Sequence, residues 1–406
     1  MPDRSVLSDA FRLTCACITW PRTPQDGDAT AALAGSVRDW NEFLGFVKRH
    51  RVEGLAAEAL RDIDAVPKNV RDILFSAARE IAGRNLLSVA ALTDIAQSFD
   101  TEGIPYVTLK GLPLAILAYG GIASRHSKDI DILVAPAQFE RACVVLRRLG
   151  YSRVLPAPDA GPNLLALWSR LRKDHTFRKA GVETELHWRP VNNPYLLAMP
   201  LIPATWRSVE VAPARLVNAL GPDDMFAYLC AHGAASGWPR LKWLADIGAL
   251  LREQTPAGIS CLYDAACARG VARPAAQALL LCARLLHLEI PDDLKSRLAS
   301  DRTNAWLERV ALTSYLQEGA SERSTVFLSA LRNGRSRFAL SRSPTFKLRE
   351  ITFTLSDPMD AAKTGFPDRL MVLYPLLRLA IWLYMHVKNR RSARSGCDDQ
   401  RERKTP

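Results

Sequence analysis

Asp129 and Asp131, two carboxylates separated by one apolar residue, are the side chains in this chain best suited to chemistry. From Asp129 to Val134, Ile130, Ile132 and Val134 alternate with Asp129, Asp131 and Leu133, the period of a β-strand, in which alternate residues share a face. Both carboxylates therefore project together. Like charges at this spacing raise each other's pKa unless a cation lies between them, so the pair calls for a divalent metal, magnesium first, or a shared proton. An edge strand with a solvated face has the same spacing.

The neighbouring elements are those that must position the pair. Tyr106-Val107-Thr108-Leu109 reads as a short strand, Lys110-Gly111 follows at once, and Leu112 to Tyr119 has helical spacing. Strand, glycine and helix in succession present backbone N–H groups and a helix N-terminus to an anion, with Lys110 adding a point charge; a plain turn is the alternative. After Val134, Pro136 opens a helix that Gly150 ends, and Tyr151 to Leu155 reads as a strand. Lys173 to Phe177 and Val182 to Trp188 form a hairpin turning at Ala180-Gly181. Glu183, Glu185 and His187 share one face of its second strand, so a third carboxylate can lie beside the aspartates.

The rest of the chain is helical in pattern. Up to about residue 100 apolar residues recur at helical spacing, with Pro67 starting a new helix; His50 reads as a surface helix residue, not a ligand. Helices resume at Asp223 and fill Ile259 to Leu288, whereas Arg323 to Ser343 is basic and reads as irregular. Leu370 to Val387 is apolar but contains Pro375, Arg378 and His386, and an arginine at a bilayer centre costs about 3 kcal/mol. A packed terminal helix, or an interfacial one beside Lys388, Arg390 and Arg391, is therefore favoured over a membrane span.

At 406 residues, 48% hydrophobic and 24% charged, the composition is that of a soluble globular protein with room for two or three domains. The formal net charge is +12, but from Arg332 to Pro406 sixteen Lys or Arg face seven Asp or Glu. A solvated or membrane-facing tail accounts for that excess better than a nucleic-acid groove. Met1-Pro2-Asp3-Arg4 does not begin a secretory signal, so the expected location is cytoplasmic, with peripheral contact to anionic membrane through the C-terminal helix. The eight cysteines form no Cys-x-x-Cys pair and read as reduced thiols. The expected organisation is a helical region over 1–100, a core over 101–210, a helical domain over 211–330, a basic segment and apolar helix over 331–388, and a disordered basic tail over 389–406.

Val107 to Gly111, Tyr119-Gly120, Arg125 with Asp129-x-Asp131, Glu185-Leu186-His187-Trp188-Arg189, Leu229 to Gly233 and Arg240 to Ile247 together resemble the uncharacterised nucleotidyltransferase family. This is a branch of the nucleotidyltransferase (DNA polymerase β-like) superfamily, and the resemblance covers roughly residues 35–385. It implies an α+β fold, a nucleotidyltransferase-type mixed sheet flanked by helices, with helical N-terminal and C-terminal regions. It implies, too, a magnesium-dependent transferase, ATP-binding or using another NTP, that moves a nucleoside monophosphate to a hydroxyl of a small molecule, sugar, peptide or protein and releases pyrophosphate. By this resemblance Asp129, Asp131 and Glu185 are the catalytic metal ligands for two magnesium ions roughly 4 Å apart. Lys110 and Gly111 cradle the phosphates, and Arg125 stabilises the leaving pyrophosphate. Many relatives in the branch carry Asp where Glu185 stands; the extra methylene moves the carboxylate by about 1.5 Å, leaving Glu183 as a competitor and a catalytically weak or inactive nucleotide-binding scaffold as the alternative.

Overall fold

The computed structural model describes residues 7–316, 334–378 and 380. Five helices precede the sheet: α1 (Asp9–Cys17), α2 (Pro24–Ser36), α3 (Trp40–His50), α4 (Glu53–Ala59) and the 34-residue α5 (Lys68–Thr101). Asp39 starts α3 by accepting hydrogen bonds from the Asn41 and Glu42 amides, which satisfies two of the donors that a helix start leaves free. Along α5, Leu74, Ile81, Leu92 and Ile95 are buried, whereas Ile73, Leu86 and Leu87 face outward.

His50 is not at the surface. It is fully buried, stacked on Phe46 and edge-on to Phe11 and Tyr315, and its Nδ1 accepts the Leu241 amide at 3.3 Å. The helix over Arg302–Leu316 brings Tyr315 against the end of α3, a contact that the local periodicity does not contain. Burial, with Arg49 nearby, pushes its pKa down to about 3. Below pH 6.5 the unfolded chain binds a proton that the folded one refuses, so stability falls as the pH drops from about 6.5 towards 3, by at most about 1.4 kcal/mol per unit. Urea midpoints measured between pH 7.5 and 5 are expected to decline in the wild type and to decline less in His50→Phe.

Among the described residues the strands are β1 (Tyr106–Thr108), β2 (Asp129–Val134), β3 (Ser152–Leu155), β4 (Asp174–Lys179), β5 (Val182–His187), β6 (Arg207–Ala212) and β7 (Arg215–Ala219). They form one mixed sheet in the order β3-β4-β5-β2-β1-β7-β6. The fold is the α+β arrangement expected, a mixed sheet flanked by helices. The β4–β5 hairpin turns at Ala180 and Gly181, both at positive φ, the geometry of a two-residue turn that matches strand twist. β6 and β7 are short and largely exposed, which leaves them a weak signal in the sequence, and they extend the sheet to Ala219.

Helices α6 (Leu112–Tyr119), α7 (Phe139–Arg148) and α8 (Pro162–Leu171) lie between strands. After the sheet come α9 (Pro222–Ser236), α10 (Leu241–Arg252), α11 (Pro256–Ala268), α12 (Ala272–Leu285), α13 (Asp292–Ser300), α14 (Arg302–Leu316), α15 (Pro344–Ser356) and α16 (Pro358–Thr364). The two faces of β2 divide the core. Ile130, Ile132 and Val134 pack with residues of α5 and α7, while Leu133, on the face of the aspartates, joins the larger helical core that includes Tyr228 and Leu229 of α9. The carboxylates thus sit between the sheet and the C-terminal helices.

Residues 334–339 are helical, against the irregular segment expected there; of the apolar helix expected over Leu370 to Val387, residues 374–378 are helical after a turn, while residues 379 and 381–387, like 323–333 and the tail from 389, lie outside the described residues. No helix among the described residues is long and apolar enough to cross a membrane.

Candidate active site

β2 and β5 run parallel, in a register that sets Asp129 opposite Glu183, Asp131 opposite Glu185 and Leu133 opposite His187. Paired residues of adjacent strands project from the same face, so the register brings together side chains more than fifty positions apart. Oxygen atoms of Asp131 and Glu185 and a nitrogen of His187 lie within 4.8 Å of one another. His187 Nε2 is 3.4 Å from both Asp131 Oδ1 and Glu185 Oε2, yet Asp131 Oδ1 and both imidazole nitrogens are buried without a formed hydrogen bond. An orphaned buried polar atom costs about 1–3 kcal/mol. Asp131 Oδ1 and His187 Nε2, both orphaned, together with Glu185 Oε2 make the donor set of a cation site.

Two lysines hold Asp129 and Glu185 ionised. Lys110 Nζ donates to Asp129 Oδ1 at 3.1 Å and to Asp131 Oδ2. Burial pushes the Asp129 carboxyl up, but Lys110 outweighs it and holds the pKa below the usual range. Glu185 is also raised by burial, and there Lys173, 3.6 Å from Oε2, together with His187 brings it well below the ordinary value. Asp131 therefore has two sides, Oδ2 committed to Lys110 and Oδ1 turned towards Glu185 and His187. From α9, Tyr228 and His232 close the site, their Oη and Nε2 buried without hydrogen-bond partners.

The remaining residues singled out in the sequence have other surroundings. Gly111 adopts φ +82° at the start of α6, and a Cβ there would sit 3.7 Å from the Asp129 carbonyl, so the turn from β1 into α6 needs glycine. Glu183 is drawn to the rim by Lys128, at 3.0 Å, and Arg178, and does not join the cluster. Arg125, expected at the pyrophosphate, is a buried cation paired within the protein: Nε and Nη2 each lie 2.8 Å from a different oxygen of Asp246 in α10, and Nη1 donates to Ser127 Oγ and the Gly111 carbonyl. This fork occupies its donors and locks the loop before β2 onto α10.

Lys173 and Lys242 are functional candidates that the motifs did not single out. Lys242 Nζ donates to the His126 carbonyl at 2.9 Å and has no carboxylate in ion-pair contact among the described residues. Burial, then Arg125 and Lys110, depress its pKa to about 7. A lysine in the apolar first turn of α10, between Leu241 and Leu244, was the available signal; Lys173, one residue ahead of a strand, gave none.

The uncharacterised nucleotidyltransferase family matches residues 36–287 of the chain. No curated protein matches it.

Proposed function

The chain belongs to the uncharacterised nucleotidyltransferase family, and from that premise we propose that it moves a nucleoside monophosphate from an NTP, with a divalent cation, to a hydroxyl acceptor and releases pyrophosphate. The observation that carries this reading is the direct pairing of Asp131 with Glu185 across β2 and β5, beside Asp129 and the β1-Lys110-Gly111-α6 turn. The orphaned oxygen of Asp131 and the Glu185 carboxylate fit a hard cation, and Asp129, Asp131 and Glu185 are the residues that would hold magnesium. The His187 imidazole extends that donor set towards manganese. The cation, when bound, supplies charge neutralisation at the phosphates.

The chain's own groups divide the work. Lys110 keeps Asp129 ionised, hydrogen-bonds Asp131 and lies where the triphosphate meets the start of α6. Glu185, held ionised by Lys173, faces the acceptor and takes its hydroxyl proton as the new P–O bond forms; the electron pair of the broken P–O bond leaves with pyrophosphate. Lys242 binds the triphosphate, because a buried ammonium with one carbonyl partner and two cationic neighbours lacks an anion.

Incubation with α-labelled ATP, CTP, GTP or UTP, magnesium and a cell extract is the test. Labelled product with stoichiometric pyrophosphate, abolished by EDTA, is expected; its absence with every NTP would falsify the proposal. A second reading, NTP binding without turnover, is favoured by the Lys110 ammonium sitting between the two aspartates; calorimetric binding without pyrophosphate release identifies it. Lys242→Met is expected to weaken ATP binding roughly tenfold, the scale of one charge-assisted hydrogen bond, with partial recovery in Lys242→Arg. With a pKa near 7 the free amine must take up a proton to meet a phosphate above that pH. Wild-type affinity, followed by calorimetry from pH 7 to 9, should therefore fall as pH rises, and the Lys242→Arg profile should be flatter.

A further inference from the structure

A cavity of about 320 Å³ opens beside the Glu185 end of the site, lined among others by Arg172, Lys173, Asn192, His232, Phe346 and Glu350. Lys173 belongs to both places, since it lines the cavity and its Nζ lies 3.6 Å from Glu185 Oε2. We propose, building on the nucleotidyltransferase reading, that this cavity binds the acceptor and that the acceptor is a small, uncharged polyhydroxylated molecule of sugar or cyclitol size.

Size comes first. The volume lies at the lower end of the roughly 300–1,000 Å³ typical of small-ligand sites, too small for a folded protein or a nucleic-acid strand. Charge comes second. The cations in the wall already have their anions: Arg172 lies 3.4 Å from Asp357, Arg337 2.7 Å from Glu350, and Lys173 is beside Glu185. A phosphorylated or carboxylated ligand would compete with these carboxylates for the same cations, whereas a neutral ligand leaves the balance intact. Hydrogen bonding comes third. Arg172 Nε, Asn192 Oδ1 and His232 Nε2 are buried without partners. Arg172 Nε only donates and Asn192 Oδ1 only accepts, so one ligand must both accept and donate at neighbouring points. Hydroxyl groups do both. Phe346 gives the wall an apolar surface against which the C–H face of a ring can lie.

The geometry also says which part of the chain selects the acceptor. Arg337, Phe346, Glu350, Phe353 and Asp357 come from residues 334–339, α15 and the residue after it, beyond the stretch 36–287 that the family covers. The carboxylate cluster lies within the stretch that the family covers; the far wall of the pocket is added by the C-terminal helices.

The test uses the full chain, magnesium, α-labelled NTP and the ultrafiltered low-mass fraction of a cell extract, with the labelled product identified by mass spectrometry. The expected product is a nucleoside monophosphate joined to a neutral polyol. Asn192→Ala and the cavity-filling Asn192→Leu are expected to raise KM for that acceptor roughly tenfold or more while KM for the NTP stays within twofold. ATP calorimetry on each variant confirms that the site is folded, and of the two Asn192→Ala removes only an unpaired side chain. A charged small molecule as acceptor, label found only in protein or nucleic acid, or an Asn192→Leu enzyme with unchanged acceptor KM overturns the proposal. No label with any NTP in whole extract is a different failure, that of the nucleotidyltransferase reading itself.

Discussion

Asp131→Asn is expected to lower nucleotidyl transfer by about 10²–10³-fold, the loss typical of one electrostatic group aimed at developing charge, without unfolding the protein. Asp131 serves both groups: Oδ2 meets Lys110, and the orphaned Oδ1 faces Glu185 and His187. Removing its charge takes one anion from the Lys110 pair and one donor from the cation site, whereas Asp129→Asn leaves the Asp131, Glu185 and His187 group intact. Of the two substitutions, the one at Asp131 should therefore cost more. An amide of the same shape keeps the strand and its packing, so the urea midpoint of Asp131→Asn should move far less than the rate does. Steady-state pyrophosphate release beside the urea midpoint separates the two effects. Equal rates for Asp131→Asn and wild type would remove the carboxylate cluster from the mechanism, and a rate loss matched by a lost fold would make Asp131 a structural residue.

The legible part of this site was the part written in local pattern. Asp129-x-Asp131 and the Ile130, Ile132, Val134 alternation specify a strand with one polar face, and Ala180-Gly181 specifies the hairpin that delivers Glu185, because both signals lie within a few residues of what they determine. The choice between Glu183 and Glu185 was not legible. Both share a face, and only the register of β5 against β2, together with Lys128 and Arg178 at the rim, sends one outward. The surroundings of Arg125 were not legible for a related reason, since its partner Asp246 is 121 positions away and nothing near Arg125 announces it. His50 was misplaced because burial of a helix end depends on what later covers it. The helical N-terminal region and the α+β class followed from periodicity and resemblance, whereas β6 and β7, short and largely exposed, left only a weak pattern to read.

Arg125→Met is expected to destabilise the protein by about 3–5 kcal/mol, the usual cost of leaving one member of a buried ion pair without its partner. Both side chains are almost wholly buried, and Tyr119 Oη adds a third contact to Asp246 at 3.1 Å. Asp246→Asn should cost about as much, because the guanidinium then stays buried and uncompensated. The double variant Arg125→Met, Asp246→Leu should recover much of the loss, since an apolar pair of similar volume removes both buried charges at once. Arg125→Lys separates this structural role from a role in binding pyrophosphate. A lysine keeps the charge but cannot make the planar two-point contact with Asp246, so a structural Arg125 predicts that Arg125→Lys remains clearly destabilised. A phosphate-binding Arg125 predicts near-wild-type stability with altered NTP affinity alone. Urea midpoints for the four variants, measured with ATP calorimetry on those that fold, decide between the two. The loop that Arg125 anchors runs directly into Asp129, so loosening it displaces the aspartates as well: Arg125→Met should lose transfer activity at temperatures where circular dichroism still reports folded helices, and the double variant should regain both.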